Sequence, residues 1–228
     1  MTATPHQLVL DLPHLAALGA EDFLVSDSNR AAVDLIERWP SWPYWAAVVV
    51  GPAGSGKSHL VNVWRARSGG GRIDAGMLGE ASISGLDRDK ALAIEDIDRG
   101  VADERLMFHV LNLARQHRHT VLLTSRRAPG EIEISVPDLR SRLRALPVVA
   151  IAAPDEPLLR AMLVKLFADR QLAVEPHVVA YIALHMERST EAAVRIVAEA
   201  DRLSLATKRK VTRALAAAAL GRTAEPEA

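Results

Sequence analysis

Cysteine is absent from the 228-residue chain. The sequence therefore has no disulfide framework and no thiolate metal site, which is typical of a protein of the reducing cytosol. Lysine plus arginine equals aspartate plus glutamate, 28 against 28, so no overall charge draws the chain to nucleic acid or to an acidic membrane. The sequence also lacks a basic, apolar leader and any apolar run near the roughly 20 residues of a membrane span. We therefore expect a soluble cytoplasmic protein.

Hydrophobic residues make up 49% of the chain, enough for an α/β core and a small helical domain. Between residues 21 and 153, short apolar runs alternate with helical patterns, which predicts an α/β fold with a parallel sheet and helices on both faces. Residues 154–228 lack strand-like runs and predict a small all-helical lid domain. Residues 1–20 form a separate N-terminal arm. The predicted strands are 46–50, 72–75, 91–94, 120–124 and 148–151, and the predicted helices are 104–118, 138–144, 156–170, 176–186, 189–207, 212–220 and one that begins at 57.

A glycine-rich segment follows the first apolar run and precedes a helical pattern. It reads Gly51-Pro52-Ala53-Gly54-Ser55-Gly56-Lys57-Ser58. When a glycine-rich turn joins a strand to the beginning of a helix, its backbone N–H groups point at phosphate oxygens. The positive end of the helix dipole points the same way. Lys57 is placed to reach the β- and γ-phosphates, and Ser58 offers a hydroxyl to Mg²⁺. A chance glycine turn rarely has this context, so the segment predicts a P-loop that binds a nucleoside di- or triphosphate.

Polar residues follow two further apolar runs. Glu95 and Asp96 come directly after the run 91–94, and acids at a strand end beside a P-loop hold the Mg²⁺ shell and orient the attacking water. Solvated acids are the alternative interpretation. Thr124 ends the next run, where its hydroxyl would touch the γ-phosphate or the water, or would only cap the strand end. The pattern alone does not separate these alternatives.

These motifs together resemble the AAA+ domain of the DnaA family of replication initiators, from about residue 21 to residue 220. The matched positions are the adenine-pocket segment with Phe23, Val25 and Asn29, the Walker A motif from Gly51 to Ser58 with His59, the Walker B acids Glu95 and Asp96, sensor 1 at Thr124, the arginine finger at Arg142 and sensor 2 at Arg188. The resemblance implies ADP or ATP as ligand, with Mg²⁺ held through Ser58 and Glu95. The family's usual first Walker B acid is aspartate, so Glu95 favours nucleotide binding over vigorous hydrolysis. Without the resemblance, both arginines would be read as solvated surface residues.

Within that family the chain is most similar to the Hda-type regulatory inactivators, which combine an AAA+ core with a short arm. We expect no helix-turn-helix domain after the helical part, and hence no sequence-specific DNA binding. Gln7 with Leu8, Leu10 and Leu12 resembles the motif by which such arms bind the β subunit of the DNA polymerase III sliding clamp. An edge strand is the alternative interpretation of the alternating leucines. The resemblance implies the clamp and DnaA as partners, and self-association stays open.

The leading hypothesis is negative regulation of replication initiation. The chain would hold an adenine nucleotide with little ATPase activity of its own, while Arg142 stimulates hydrolysis of DnaA-bound ATP in trans. The alternative is an AAA+ loader or adaptor ATPase that remodels a replication partner by its own turnover. A small-molecule P-loop kinase is disfavoured because the helical part follows the sheet instead of interrupting it. The basic cluster 208–210 is interpreted as a solvated turn, not as a DNA contact.

Overall fold

The computed structural model describes residues 24–80 and 91–224. These residues fall into two compact units, one ending at Ala153 and one beginning at Pro154. The first unit is an α/β domain and the second contains only helices and loops among its described residues. None of the helices described in either unit is long and apolar enough to cross a membrane.

The first unit has a five-stranded parallel sheet in its described residues. The strands are β1 (Ala46–Val50), β2 (Gly71–Asp74), β3 (Ala91–Glu95), β4 (Thr120–Ser125) and β5 (Val148–Ala150). They lie in the order β2-β3-β4-β1-β5, and every neighbouring pair is parallel. This result confirms the predicted parallel sheet. The segments that follow β1, β3 and β4 therefore meet at the carboxyl edge of the sheet, where ligands of α/β proteins bind.

Helices cover both faces of this sheet. They are α1 (Arg30–Glu37), α2 (Lys57–Ser68), α3 (Glu104–His117) and α4 (Pro137–Arg144). Along β1, Ala46 and Val48 pack in the same hydrophobic layer as α3 and α4, whereas Ala47 and Val49 pack with α1 and α2. Side chains of a strand alternate between the two faces, so an apolar strand needs a helical layer on each side. The prediction of helices on both faces is confirmed.

The sequence pattern does not predict α1. Its buried residues Ala32, Leu35 and Ile36 follow a helical spacing, but the helix has only eight residues and no acidic residue in its first turn. The side chain of Asn29, at the N-cap position, makes no capping hydrogen bond. Asparagine is a common N-cap residue, but the side chain of Asn29 is bonded to Ser26 and Leu24 instead. With so short an apolar stripe the signal of a helix start is weak, and tertiary packing determines the helix.

Three tryptophans form an aromatic cluster in the α/β unit. The rings of Trp42 and Trp64 are stacked with centroids 5.9 Å apart, and Trp39 meets Trp64 edge-on at 6.4 Å. The indole of Trp42 donates to the carbonyl of Leu35 at 2.7 Å, and that of Trp39 donates to the hydroxyl of Thr120 at 3.1 Å. The cluster therefore joins α1, α2 and the start of β4 through both apolar contact and hydrogen bonds.

The second unit is helical, as predicted. Its helices are α5 (Glu156–Asp169), α6 (Pro176–His185), α7 (Thr190–Thr207) and α8 (Arg213–Ala224). They share one core that includes Leu163, Phe167, Ile182 and Ile196. Side-chain oxygens cap three of the helices: Asp155 accepts from the backbone N–H of Leu158 at 2.8 Å, Ser189 from that of Ala192 at 3.1 Å and Thr212 from that of Leu215 at 3.4 Å. Such caps define where a helix begins.

Candidate nucleotide-binding site

The glycine-rich segment forms the turn between β1 and α2. The backbone N–H of Gly51 donates to the carbonyl of Ser125 at 3.0 Å, which fixes the start of the turn against the end of β4. Gly54 and Gly56 have φ values of 67° and 93°, in the left-handed region that favours glycine. Gly56 precedes α2 and supplies no side-chain cap. The first N–H groups of α2 are thus left for an anionic ligand.

Gly51 is fixed by packing and not by its backbone angles. A Cβ atom at this position would lie 2.6 Å from the carbonyl oxygen of Ile151 and 2.7 Å from Oγ of Ser55. Ile151 follows β5, and its N–H donates to the carbonyl of Val50 at 2.7 Å. The turn therefore runs so close to the end of β5 that only glycine fits without displacing backbone.

Lys57 begins α2 and is 7% exposed. Its Nζ donates to the carbonyl oxygens of Gly51 and Pro52 at 2.7 and 2.8 Å. These contacts compensate for the burial of the ammonium group and hold it beneath the turn. The positive charge therefore lies against the turn that joins β1 to α2.

Ser58 and Glu95, the two predicted Mg²⁺ ligands, lie together. Oγ of Ser58 donates to Oε2 of Glu95 at 2.6 Å, although the residues are 37 positions apart in the sequence. A hydroxyl and a carboxylate are oxygen donors that suit Mg²⁺, which usually takes one or two protein ligands and completes its shell with phosphate and water. The described residues contain no group of three or more acidic or histidine side chains arranged for a metal. The pair fits Mg²⁺ bound together with a nucleotide, and does not resemble an all-protein metal cage.

Arg72 is a residue of this site that the sequence pattern did not identify. It lies in β2, and its Nε forms an ion pair with Oε1 of Glu95. The carboxylate side chain is 5% exposed and that of the arginine 41%. The pairing of β2 with β3 places Asp74 opposite Glu95 and Arg72 two residues earlier. No sequence motif marks Arg72. Its contact with Glu95 can be inferred only when the strand order, which pairs β2 with β3, is known.

Thr124 holds the turn that follows Glu95. Its hydroxyl accepts from the backbone N–H of Asp96 at 3.0 Å, and the residue is fully buried. Asp96 has a φ of 56°, in the left-handed region, and its carboxylate pairs with Arg99 at 3.4 Å. Thr124 thus stabilises an unfavourable backbone conformation beside the P-loop, whatever further contact its hydroxyl makes with a ligand.

Asp98 braces the end of β4. Its Oδ1 accepts from the backbone N–H of Arg126 at 2.8 Å and from Oγ of Ser125 at 3.2 Å. Sequence reasoning gave no role to this acid. The contact joins the segment after β3 to the segment after β4, so Glu95, Asp96 and Thr124 belong to one hydrogen-bonded edge.

The structure describes only some of the residues predicted to line an adenine pocket. Asn29 is 4% exposed; its Oδ1 accepts from the N–H of Ser26 and its Nδ2 donates to the carbonyl of Leu24, both at 2.9 Å. Val25 is 46% exposed, and His59 is half-buried in the first turn of α2. The remaining predicted residues, Phe23 of the pocket and Gln7, Leu8, Leu10 and Leu12 of the arm, lie outside the described residues.

The segment before α1 is joined to the P-loop edge through β5. The N–H of Ala152 donates to the carbonyl of Ser28 at 2.9 Å, one residue after Ile151, which packs against Gly51. Asn29 therefore maintains a loop that borders the phosphate turn.

Comparison with solved structures identifies this architecture. Domain III of the replication initiation protein DnaA from Thermotoga maritima matches with a TM-score of 0.78 at 18% identity, over 92% of this chain and 98% of that one. AMPPCP-bound DnaA from Aquifex aeolicus matches with a TM-score of 0.67 at 18% identity, over 78% and 63%. The chain has the fold of an AAA+ P-loop NTPase. The Thermotoga maritima RuvB Holliday junction branch migration motor has it too, with a TM-score of 0.65 at 16% identity over 86% and 66%. No protein-family model and no curated protein matches the sequence.

Arg142, predicted from the resemblance as an arginine finger, is held on α4 by two residues of α3. Its guanidinium donates to Oδ1 of Asn112 and lies over the ring of Phe108, 5.0 Å from the centroid. It lines a cavity of about 400 Å³ together with Trp45 and Arg115. Trp45 directly precedes β1, whereas the P-loop follows β1 at its other end. A strand of this length spans roughly 16 Å, so Arg142 lies at the sheet edge opposite the P-loop of its own chain.

Arg188, predicted from the resemblance as the sensor 2 arginine, is an exposed residue of the helical unit. It precedes Ser189, the residue that caps α7. The sequence pattern placed this helix start at 189, and the structure begins α7 at Thr190. Arg188 therefore belongs to the loop before the helix, where its side chain is not used in capping.

Proposed function

We propose that the chain is an adenine-nucleotide-binding AAA+ regulator that restrains replication initiation by stimulating hydrolysis of DnaA-bound ATP. One observation supports this most directly: the P-loop and Arg142 lie at opposite ends of the same central strand. A chain built in this way binds its own nucleotide at one edge of the sheet and presents a guanidinium to a neighbour's nucleotide at the other edge.

Nucleotide binding depends on the P-loop edge. The backbone N–H groups of the turn and of α2 donate hydrogen bonds to the phosphate oxygens, with Lys57 supplying positive charge. Ser58 and Glu95 would hold Mg²⁺, which when bound neutralises phosphate charge. The AMPPCP bound by DnaA of the same fold supports ADP or ATP as the ligand.

Arg142 acts in trans in this proposal. A guanidinium beside a γ-phosphate stabilises the charge that develops as the phosphoryl group transfers, and such a finger contributes about 10³ to 10⁵ in rate. Phe108 and Asn112 orient the side chain before the partner arrives, which reduces the entropy lost on docking. The product would be DnaA–ADP, and the consequence would be a restraint on further initiation.

The N-terminal arm, residues 1–20, would make the stimulation of hydrolysis depend on a loaded sliding clamp. Gln7 and the leucines that follow it would bind the β sliding clamp, as in the Hda-type inactivators that the sequence resembles. A clamp loaded on DNA would then raise the local concentration of the regulator near DnaA. Inactivation would follow only once replication has begun.

A DnaA–ATP hydrolysis assay with loaded clamps tests the proposal. Arg142→Ala should retain nucleotide and clamp binding but lose at least about a hundredfold of the stimulation. Arg144→Ala is the matched control, since Arg144 is an exposed arginine of the same helix that contacts only the carbonyl of Gly130 among its described hydrogen bonds. Full stimulation by the Arg142 variant would refute the finger assignment.

A loader or adaptor ATPase is the second candidate. The likeness to RuvB, a branch migration motor, supports an AAA+ protein that remodels its partner by its own turnover. Rapid ATP hydrolysis by the isolated chain, unaffected by DnaA or the clamp, would favour this candidate over the regulator.

A further inference from the structure

The ion pair between Arg72 and Glu95 gives the nucleotide site an unusual charge balance. Oε2 of Glu95 accepts from the hydroxyl of Ser58, and Oε1 is paired with the guanidinium of Arg72. Both oxygens of the Walker B carboxylate are therefore engaged by groups of the protein itself. Glutamate is one methylene longer than the aspartate that the resemblance leads one to expect, and this length allows the carboxylate to meet both partners.

Because Glu95 is buried, its ion pair with Arg72 matters for the free energy of the site. The Glu95 side chain is 5% exposed, and a buried carboxylate without a compensating positive charge is costly. The acids nearest to Arg72 and Glu95 in the chain have other partners, because Asp74 accepts from the N–H of Gly76 at 2.8 Å and Asp96 pairs with Arg99. Arg72 is thus the guanidinium that neutralises Glu95.

We infer that Arg72 is a positioning residue that keeps Glu95 as a neutral ion pair beside the P-loop, so that nucleotide is retained with little dependence on Mg²⁺. This inference rests on the proposed adenine-nucleotide site and adds a property that the site alone does not have. In a P-loop whose Walker B acid is unpaired, the metal supplies the positive charge that the carboxylate and the phosphates require. Here the guanidinium of Arg72 supplies one such charge permanently.

The same arrangement limits hydrolysis. A carboxylate that accepts from Ser58 and is ion-paired with Arg72 is a weaker acceptor for a metal-bound or attacking water, because part of its acceptor capacity and of its negative charge is already used. The bound nucleotide would then stabilise the regulator without being consumed rapidly, which suits a chain whose useful chemistry takes place on a partner's ATP.

Equilibrium binding of ADP by the full chain, measured in excess Mg²⁺ and in excess chelator, tests this inference. In the unmodified chain the two affinities should differ by less than about threefold, since the site is already neutralised. Arg72→Met should bind ADP at least about tenfold more weakly in chelator, because the unpaired Glu95 repels the phosphates, and nearly normally in Mg²⁺. Arg67→Met, on the exposed end of α2, is the matched control and should behave like the unmodified chain.

A second variant protects the test against a folding defect. An Arg72→Met, Glu95→Gln double variant lacks both the buried carboxylate charge and the guanidinium that pairs with it. Most of the dependence of ADP affinity on Mg²⁺ should therefore disappear again. The ratio of the ADP affinity in Mg²⁺ to the ADP affinity in chelator is the deciding quantity. If this ratio is the same in Arg72→Met as in the unmodified chain, the inference is overturned, while the proposed nucleotide site remains intact. Failure of the unmodified chain to bind ADP in either condition would refute the proposed nucleotide site and this inference with it.

Discussion

At the scale of single residues, close packing and charge pairing define the P-loop edge. Gly51 is required because a side chain would meet the backbone of Ile151, and Lys57 is buried with its charge satisfied by two carbonyls of the turn. These contacts hold the turn between β1 and α2 against its neighbours. We therefore expect the site to be formed before a ligand arrives, which reduces the cost of binding.

Gly51→Ala tests this packing. The added methyl group would displace the turn or the end of β5, so we expect the unfolding free energy to fall by about 1 to 3 kcal/mol and ADP affinity to fall as well. Denaturant titration and calorimetric binding measure the two effects.

Gly130→Ala is the control for this substitution, because a Cβ atom there meets nothing within 4 Å and the residue has no positive φ. Equal stability and affinity in the two alanine variants would show that the turn tolerates a side chain at position 51.

At the scale of elements, α7 and α8 are joined by a charged network. Glu199 of α7 accepts from Nε and Nη2 of Arg202, each at 2.7 Å, and from Arg222 of α8 at 3.2 Å. The hydrogen bonds from Arg202 lower the pKa of Glu199 below its ordinary value of 4.5, and those from Arg222 act in the same direction. The ionised carboxylate is thus favoured in the folded helical unit.

This network predicts a pH dependence. Since the folded pKa of Glu199 lies below the unfolded one, its contribution to stability is complete above the unfolded pKa and is lost as the pH falls through the folded pKa. The pH range over which this contribution to stability is lost therefore lies below pH 4.5. Glu199→Gln should flatten this part of the curve of unfolding free energy against pH, measured by denaturant titration. An unchanged slope would mean that the network does not stabilise the fold.

Strand and helix types could be predicted from the sequence wherever a local signal was strong. The apolar run of β1 and the periodicity of α3 are examples, and their bounds differ from the prediction by at most one residue. Helix α1 was not predicted because it has only eight residues and no acidic residue in its first turn, and its short apolar stripe has meaning only against the sheet. Arg72 was missed for a similar reason: its partner is set by the order of the strands, which no local pattern encodes.

Within the site, the sequence predicted which residues would meet but not how they are engaged. Ser58 and Glu95 were expected to share a metal, and they lie in hydrogen-bond contact. Thr124 was expected either to face a phosphate or a water or to cap the strand end, and its hydroxyl accepts a hydrogen bond from the N–H of Asp96. Hydrogen bonds of this kind depend on side-chain geometry across neighbouring strands, which becomes known only once the fold is built.

At the scale of the whole molecule, a bound nucleotide should act as part of the folded structure. A ligand that binds only the native state stabilises it by RT ln(1 + [L]/Kd), about 2.7 kcal/mol at a hundredfold excess over Kd. Scanning calorimetry should therefore show a higher Tm with ADP than without it. The whole increase should vanish in Lys57→Met, which retains the buried stem of the side chain but removes its charge.

Lys165→Met is the control for that experiment, because Lys165 lies on α5 and pairs with Asp169 of the same helix at 4.0 Å. It should show the unmodified shift in Tm. An increase in Tm that persists in Lys57→Met would place the ligand somewhere other than the P-loop.

The aromatic cluster gives the molecule an internal reporter. All four tryptophans, at positions 39, 42, 45 and 64, precede Ala153, so indole fluorescence is emitted by the α/β unit alone. Far-ultraviolet circular dichroism, in contrast, registers the helices of both units. If the units melt separately, the two optical signals will follow different transition curves, and their divergence will measure how independently each unit unfolds.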